Sequence, residues 1–416
     1  MTASNPLDDL GPAIEHAWQR VNYDERAFPA LAAKALRAAR LHERTDHAEV
    51  IRWTLSAPEL PQQDDLEATF GEPPITLYHG RRFFIQVLLW LEGSTSIHRH
   101  AFCGAFAVLA GSSLHSRYAF EVRRRISSRF LLGDLRLRGA ELLERGDVVK
   151  ITADLIHGLF HFETPSATVI VRTYLDDEAA PQYSYRPPCL AIDSFYQEPS
   201  MVRRLQALRF ARTTDPAAYP ALAAGVIERT DLHTGWLVLN EAVRGPSDPA
   251  DLDLLMAAAR NRHGAVIESL SEALLEDLRD RKIQRLRDEQ TDPELRFFLA
   301  LLQNLPQRDA ILKLIRRRYP KADPRKRVIG WVDALSGVDA IGIDLRDDLT
   351  REMFLALLDG CSQTALLARL KRRFDAKEVA ARKKDLADHA ERIRRSALAP
   401  LFRAPRAGRP ARLANR

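Results

Sequence analysis

Leu89-Trp90-Leu91-Glu92-Gly93-Ser94-Thr95-Ser96-Ile97-His98-Arg99-His100 is the stretch on which the reading of this chain turns. It continues an apolar run that opens at Phe83 and ends in two histidines at positions i and i+2. Strand side chains alternate between faces, so a strand through this run projects His98 and His100 to the same side. Further along, His157 lies in a second strand-like run, Ile156–Phe162. An imidazole from that neighbouring strand would complete a facial three-nitrogen metal site. Neutral imidazole suits iron, nickel, copper and zinc, so the pattern points to a metal without naming it. The competing reading is a hydrogen-bonded pair of histidines on a barrel wall.

Outward from these two runs, the chain between Ile75 and Tyr174 is built of short apolar or alternating segments separated by glycine. They are Phe83–Leu91, Gly104–Leu109, Leu114–Val122, Leu135–Leu137, Val148–Ile151, Ile156–Phe162 and Thr168–Tyr174. Many short strands with turns between them predict a closed barrel or a sandwich. Before them, Ile14, Trp18 and Val21 form one helical stripe and Leu31, Ala35 and Leu36 another. Tyr183–Pro199 contains Pro187-Pro188, lacks a helical period, and reads as a linker or a strap across the barrel.

After Met201 the pattern is helical. Asp292-Pro293 and Asp323-Pro324 each set a capping Asp before a first-turn Pro, ahead of stripes at Phe297/Leu301/Leu305 and Val328/Trp331/Leu335. Gly337 and Gly360 stand where helices should stop. Arg403, Arg406, Arg409, Arg412 and Arg416, with no acid among them, predict a disordered basic tail. The expected division is a helical lead-in at 1–65, a barrel at 66–180, a linker at 181–200, a helical domain at 201–400 and the tail at 401–416.

A length of 416 residues exceeds one ordinary core, in line with that division. The 62 basic residues nearly balance 56 acidic ones, leaving a net charge of only +6, so a dedicated nucleic-acid binder is not expected. Arg123-Arg124-Arg125 and Arg316-Arg317-Arg318 read as solvated element ends. Cys103, Cys189 and Cys361 form no CxxC pair, which argues against a disulfide framework or a zinc knuckle and fits a reducing cytosol. The start, MTASNPLDDLGP, is unlike a signal peptide, and no apolar run approaches the ~18 residues of a membrane span. A cytoplasmic protein without membrane contact is the expectation.

Two short signatures carry a resemblance to the cupin superfamily. Gly93, His98, His100, Gly104 at the carboxylate position and Gly111 keep the spacing of the first. Gly146, Thr152, Asp154, His157 and His161 keep the spacing of the second, with its proline, second glycine and asparagine replaced. Within that superfamily, the Leu89–His100 segment resembles the metal strand of cysteine dioxygenases and related thiol dioxygenases, over roughly residues 70–180. With the helical stripes on either side giving a short N-terminal helical segment and a large C-terminal all-α domain, the resemblance implies an α+β chain built on a cupin-type double-stranded β-helix (jelly-roll barrel). It also implies ferrous iron, Fe(2+), on His98, His100 and His157 without a carboxylate ligand. Cys103 is one residue short of the crosslinking position, so no crosslink is expected. The family tyrosine corresponds to Tyr174, at the end of Ser166–Tyr174. The serine and histidine that precede it in the family are replaced by Ile170 and Arg172, so thiol specificity does not carry over.

The function this implies is a mononuclear non-haem iron(II) oxygenase that oxidises a small thiol- or carboxylate-bearing substrate with O2. Tyr174 and Arg172 would position oxygen and substrate, since a substrate carboxylate needs a fixed guanidinium. Arg81 and Arg82 are reserves for that role, and Glu92 or Glu121 are candidate partners for Arg172. The alternatives are a cupin metalloenzyme of another reaction type, or a non-catalytic metal or small-ligand sensor signalling through the helical domain. That domain would serve as a lid, a self-association surface or a platform for a protein partner. His161 lies too far along its strand from His157 for direct ligation, and reads as a residue behind the ligands or in the core. His79 and His115 are isolated and read as surface or core histidines. His263 and His389 lack partner histidines, so no second metal site is expected.

Overall fold

The described residues form eleven strands, of which β2 and β4 to β9 fall on the short runs read in the sequence: β1 (Pro74–His79), β2 (Phe83–Trp90), β3 (Ile97–Arg99), β4 (Gly104–Ala110), β5 (Ser113–Ser127), β6 (Phe130–Leu143), β7 (Val148–Ile151), β8 (Ile156–His161), β9 (Ser166–Thr173), β10 (Tyr183–Arg186) and β11 (Leu190–Asp193). The computed structural model describes residues 5–404 except 65, 67–69, 92, 94, 177–180, 246–247 and 339–340. All strand pairs are antiparallel. Strands β1-β2-β9-β4-β7 form a five-stranded sheet, and β10-β11-β6-β5-β8-β3 form a closed ring.

The five-stranded sheet is buried on both faces, which is why β2 reads as an apolar run broken only by Gln86, whose amide donates to Thr76 Oγ1 at 3.1 Å. Phe83, Ile85, Val87 and Leu89 share a core with Ile14 and Trp18 of α1 (Leu10–Gln19) and with Phe28 and Leu36 of α2 (Phe28–Ala39). The alternate residues Leu88 and Trp90 pack with Phe106, Leu159 and Ile170 between the two β layers. Val21, expected on the first helical stripe, lies beyond the end of α1 and is exposed.

Two departures from the sequence expectation bear on the site. The run opening at Phe83 is not one strand: β2 stops at Trp90, and β3 is a separate three-residue strand. Glu92, a candidate partner for Arg172, lies outside the described residues. The segment Tyr183–Pro199 is not merely a linker or strap. Its hairpin, β10 and β11, pairs with β3 on one side and β6 on the other and so closes the ring. Leu190 and Ile192 alternate onto Phe130 and Leu132, while Tyr183 and Tyr185 face Leu131. These four-residue strands around Pro187-Pro188 are too short for their period to stand out.

The chain parts into two compact units, Met1–Glu276 and Asp277–Arg416, the first of which holds the barrel together with the helices that follow it directly. The cause is a shared core: Phe130, Leu132, Leu190 and Ile192 pack with Leu208, Ile227, Trp236 and Leu255 of the first helices after the barrel. In the second unit the capping signals work as read. The Asp292 carboxylate accepts the Glu294 and Leu295 N–H groups, and Asp323 accepts those of Arg325 and Lys326. Each cap satisfies N–H groups that a helix start otherwise leaves orphaned. Gly337 and Gly360 have φ of +79° and +77°, the left-handed backbone that favours glycine. Arg316, Arg317 and Arg318 end the helix Arg308–Arg318 in solvent. Of the tail arginines, Arg406, Arg409, Arg412 and Arg416 lie outside the described residues.

The architecture is thus a cupin-type jelly-roll barrel, preceded by short helices and followed by a large α-helical C-terminal region. No helix among the described residues is long and apolar enough to cross a membrane.

Candidate metal centre

His98 and His157 are direct cross-strand partners in β3 and β8, and His100 follows the end of β3. Backbone bonds hold this approach. The Gly93 carbonyl accepts the His161 N–H at 2.6 Å, Thr95 N–H donates to the Leu159 carbonyl at 2.8 Å, and Leu159 N–H donates to Thr95 Oγ1 at 2.9 Å. Gly93 permits the contact because a Cβ there would stand 3.2 Å from the Phe160 ring and 3.3 Å from the His161 carbonyl. The ring centroids of His98, His100 and His157 lie 4.6, 4.7 and 5.0 Å apart. One ligand nitrogen from each lies within 4.8 Å of the others, and among the described residues this is the one group so arranged.

The donor chemistry fits a divalent cation. Burial pushes His98 below the usual histidine range; burial, aided by neighbouring imidazoles, pushes His100 and His157 well below it. All three are therefore neutral and offer lone pairs near neutral pH. His98 Nδ1–H donates to the Ser96 carbonyl at 2.7 Å, leaving its Nε2 bare, buried and without a hydrogen-bond partner. His100 Nε2 and His157 Nε2 are 2.8 Å apart. Two nitrogens bound to one ion at about 2.0–2.1 Å, with bonds at a right angle, stand about 2.9 Å apart. A lone pair aimed at no donor and two nitrogens at ligand spacing are what a shared cation would satisfy.

No carboxylate joins them from the position the cupin pattern reserves for one. A Cβ on Gly104 would fall 2.0 Å from the Val171 carbonyl oxygen and 2.9 Å from Arg172 Cα. Packing of β4 on β9 thus excludes any side chain there. Cys103, on the neighbouring position, lies beside Thr173, with its Sγ 3.6 Å from the Glu25 carbonyl oxygen.

Arg172, in β9, has its guanidinium carbon 4.5 Å from the ring centroids of both Phe84 and Phe102. Phe102 in turn lies 4.4 Å from the His100 ring, and the Arg172 charge helps hold His100 neutral. Glu121, a candidate partner for Arg172, pairs instead with Arg123 and Arg136. Tyr174 follows β9 and packs on Phe84, with ring centroids 5.2 Å apart. Its hydroxyl donates to the Gly80 carbonyl at 2.6 Å and lies 3.0 Å from His79 Nε2. Of the reserve arginines, Arg82 stacks on Tyr23 in the β1–β2 region. His161 stacks on Trp90 at 4.7 Å and contacts Ser113 Oγ through Nδ1 at 3.0 Å.

His115 is the residue the sequence reading missed. Expected as an isolated surface or core histidine, it is fully buried, with Nε2 3.0 Å from His157 Nδ1 and Nδ1 3.1 Å from Glu141 Oε1. Counting along the β5–β6 hairpin would not have found it: an unbroken ladder outward from the turn at Ser128-Arg129 sets His115 opposite Leu142, and three register shifts bring it opposite Glu141.

No family model and no curated protein matches the sequence. Solved structures with partial likeness include a cupin-2 domain containing protein from Shewanella frigidimarina NCIMB 400, at 14% identity over 26% of this chain and 86% of that one, with a TM-score of 0.18. Hydroquinone 1,2-dioxygenase from Sphingomonas sp. TTNP3, with 4-hydroxybenzoate bound, shares 12% identity over 26% and 68%, with a TM-score of 0.21. A DMSP lyase from Ruegeria pomeroyi DSS-3 shares 16% over 41% and 95%, with a TM-score of 0.22. Likenesses at this level assign no activity; fold and site rest on the strand order and the three imidazoles.

Proposed function

We propose that this chain is a cupin-type metalloenzyme in which His98, His100 and His157 hold one divalent metal ion and Arg172 receives the anionic end of a small substrate. The observation that carries the reading is the convergence of three neutral imidazoles, two buried and one part-buried, with one ligand nitrogen of each within 4.8 Å of the others. With three protein ligands on one face, a bound metal leaves positions for a small chelating substrate and supplies either oxidative or Lewis-acid chemistry. The chain's own residues do the rest. Arg172 lies between Phe84 and Phe102, where its charge is held fixed close to His100. A guanidinium so restrained suits a carboxylate. Phe102 and Phe106, whose rings lie 4.4 Å from His100 and 6.3 Å from His157, favour a small, partly apolar substrate.

The finer reading is a ferrous-iron oxygenase, supported by the all-imidazole donor set and by the steric exclusion of a carboxylate at Gly104. A redox-neutral reaction of the same metal centre is the second reading. It is favoured by Tyr174, whose hydroxyl already serves Gly80 and His79 and would act on substrate only through Phe84. Anaerobic purification with metal analysis, followed by oxygen-uptake assays over small thiols and carboxylates, separates the two. Near one iron per chain and substrate-dependent oxygen uptake support the oxygenase. Turnover without oxygen uptake supports the second reading. Absence of stoichiometric metal after reconstitution overturns both.

A further inference from the structure

The carboxylate of Glu141, on the barrel's outer hairpin, decides which nitrogen of His157 carries a proton, although it does not touch that residue. A carboxylate only accepts, so the 3.1 Å contact requires the proton of His115 to sit on Nδ1. With a single ring proton on His115, its Nε2 is then a lone pair, and the 3.0 Å contact is satisfied when His157 carries its proton on Nδ1. His157 Nε2 is in consequence a bare lone pair, facing His100 Nε2 and belonging to the cluster of ligand atoms. The chain of three groups runs from a half-exposed side chain through a fully buried one to the site.

The fold builds this chain deliberately into its register. His115 and Glu141 are cross-strand partners in the β5–β6 hairpin, and β5 also pairs with β8, setting Arg117 opposite His157. Phe106 packs edge-on to His115 at 6.1 Å and lies 6.3 Å from the His157 ring, so both imidazoles are held in orientation by one aromatic side chain. Arg117 Nη2 stands 3.7 Å from Glu141 Oε1.

We infer that His115 and Glu141 are positioning residues of the metal centre, which fix the tautomer and ring orientation of His157 and raise its affinity as a ligand. The inference rests on the metal reading above. Partners of this kind behind a metal-bound histidine are worth roughly 10–100-fold in metal affinity.

The test is anaerobic titration of the full chain with Co2+, read by equilibrium competition for affinity and by the visible ligand-field spectrum for coordination. His115→Leu should weaken Co2+ about 10–100-fold and alter the spectrum. His115→Gln, whose amide can donate to Glu141 and accept from His157, should recover most of the affinity. A packing role alone would be kept by leucine and would not single out glutamine. Glu141→Ala, at a half-exposed position that leaves the core intact, should weaken binding in the same direction. A parent chain that binds Co2+ together with a folded His115→Leu variant that binds within threefold of it overturns the inference alone, as does an unaltered Glu141→Ala. A parent chain that binds no Co2+ overturns the metal reading and this inference with it.

Discussion

His157 and His161 lie four residues apart on one strand and are both buried, yet their surroundings differ. His157 meets imidazoles on three sides, His98, His100 and His115. His161 meets an indole face and a serine hydroxyl, and its remaining nitrogen has no hydrogen-bond partner. Burial alone pushes His161 down to about 4, whereas neighbouring imidazoles add to burial at His157. A buried, neutral histidine is therefore not itself the mark of a ligand. What distinguishes the two ends of the barrel is whether other lone pairs are aimed at the same point.

The largest expected effect breaks that contrast outright. His157→Ala should reduce metal from near one ion per chain to near zero, while His161→Phe should keep it, both measured by elemental analysis after anaerobic reconstitution. Full metal in the His157→Ala chain would end the three-histidine assignment. Next, Arg172→Leu should leave metal content unchanged and weaken a carboxylate-bearing ligand by about 10–100-fold, the worth of roughly 1.5–3 kcal/mol for a charged hydrogen bond. Equal affinity of parent and variant, by calorimetric titration, would remove Arg172 from substrate binding.

A pH series sharpens the comparison at the other end. The folded pKa of His161 is depressed to about 4 from an ordinary 6.5, so the unfolded chain binds the extra proton between those values. Stability should then be full above the unfolded value and fall as pH drops from 6.5 toward 4, by up to about 3 kcal/mol from this residue. Urea midpoints at pH 7 and pH 5 should converge in His161→Phe relative to the parent; an unchanged difference would refute the burial argument. The smallest effect lies outside the barrel. Asp292→Ala removes a helix cap and should cost the C-terminal helical unit about 1 kcal/mol, read by thermal unfolding, with metal content untouched.

Much of this was legible because the signals are local. The His98/His100 spacing, the short apolar runs Gly104–Leu109 and Thr168–Tyr174, and the Asp-Pro caps each act within a few residues. His115 escaped because its meaning depends on two partners in different strands, Glu141 and His157, neither visible at short spacing. The β10–β11 hairpin escaped for a related cause: its strands earn their place by docking on β3 and β6, with little intrinsic pattern of their own. Even the division into units followed packing, since apolar residues on β6 and β11 gather the first helices onto the barrel.

By itself, the order of residues determined which positions alternate, which helices are capped, and that two imidazoles would share a face. Only strand pairing decided that His157 would stand opposite His98, and that Glu141 would reach it through His115. It also decided that Gly104 would lie too close to Val171 to carry a side chain. The physical reason is range. Alternation and capping are set by neighbours in the chain, whereas the direction of a lone pair or the room for a Cβ depends on residues that only folding brings within a few ångströms.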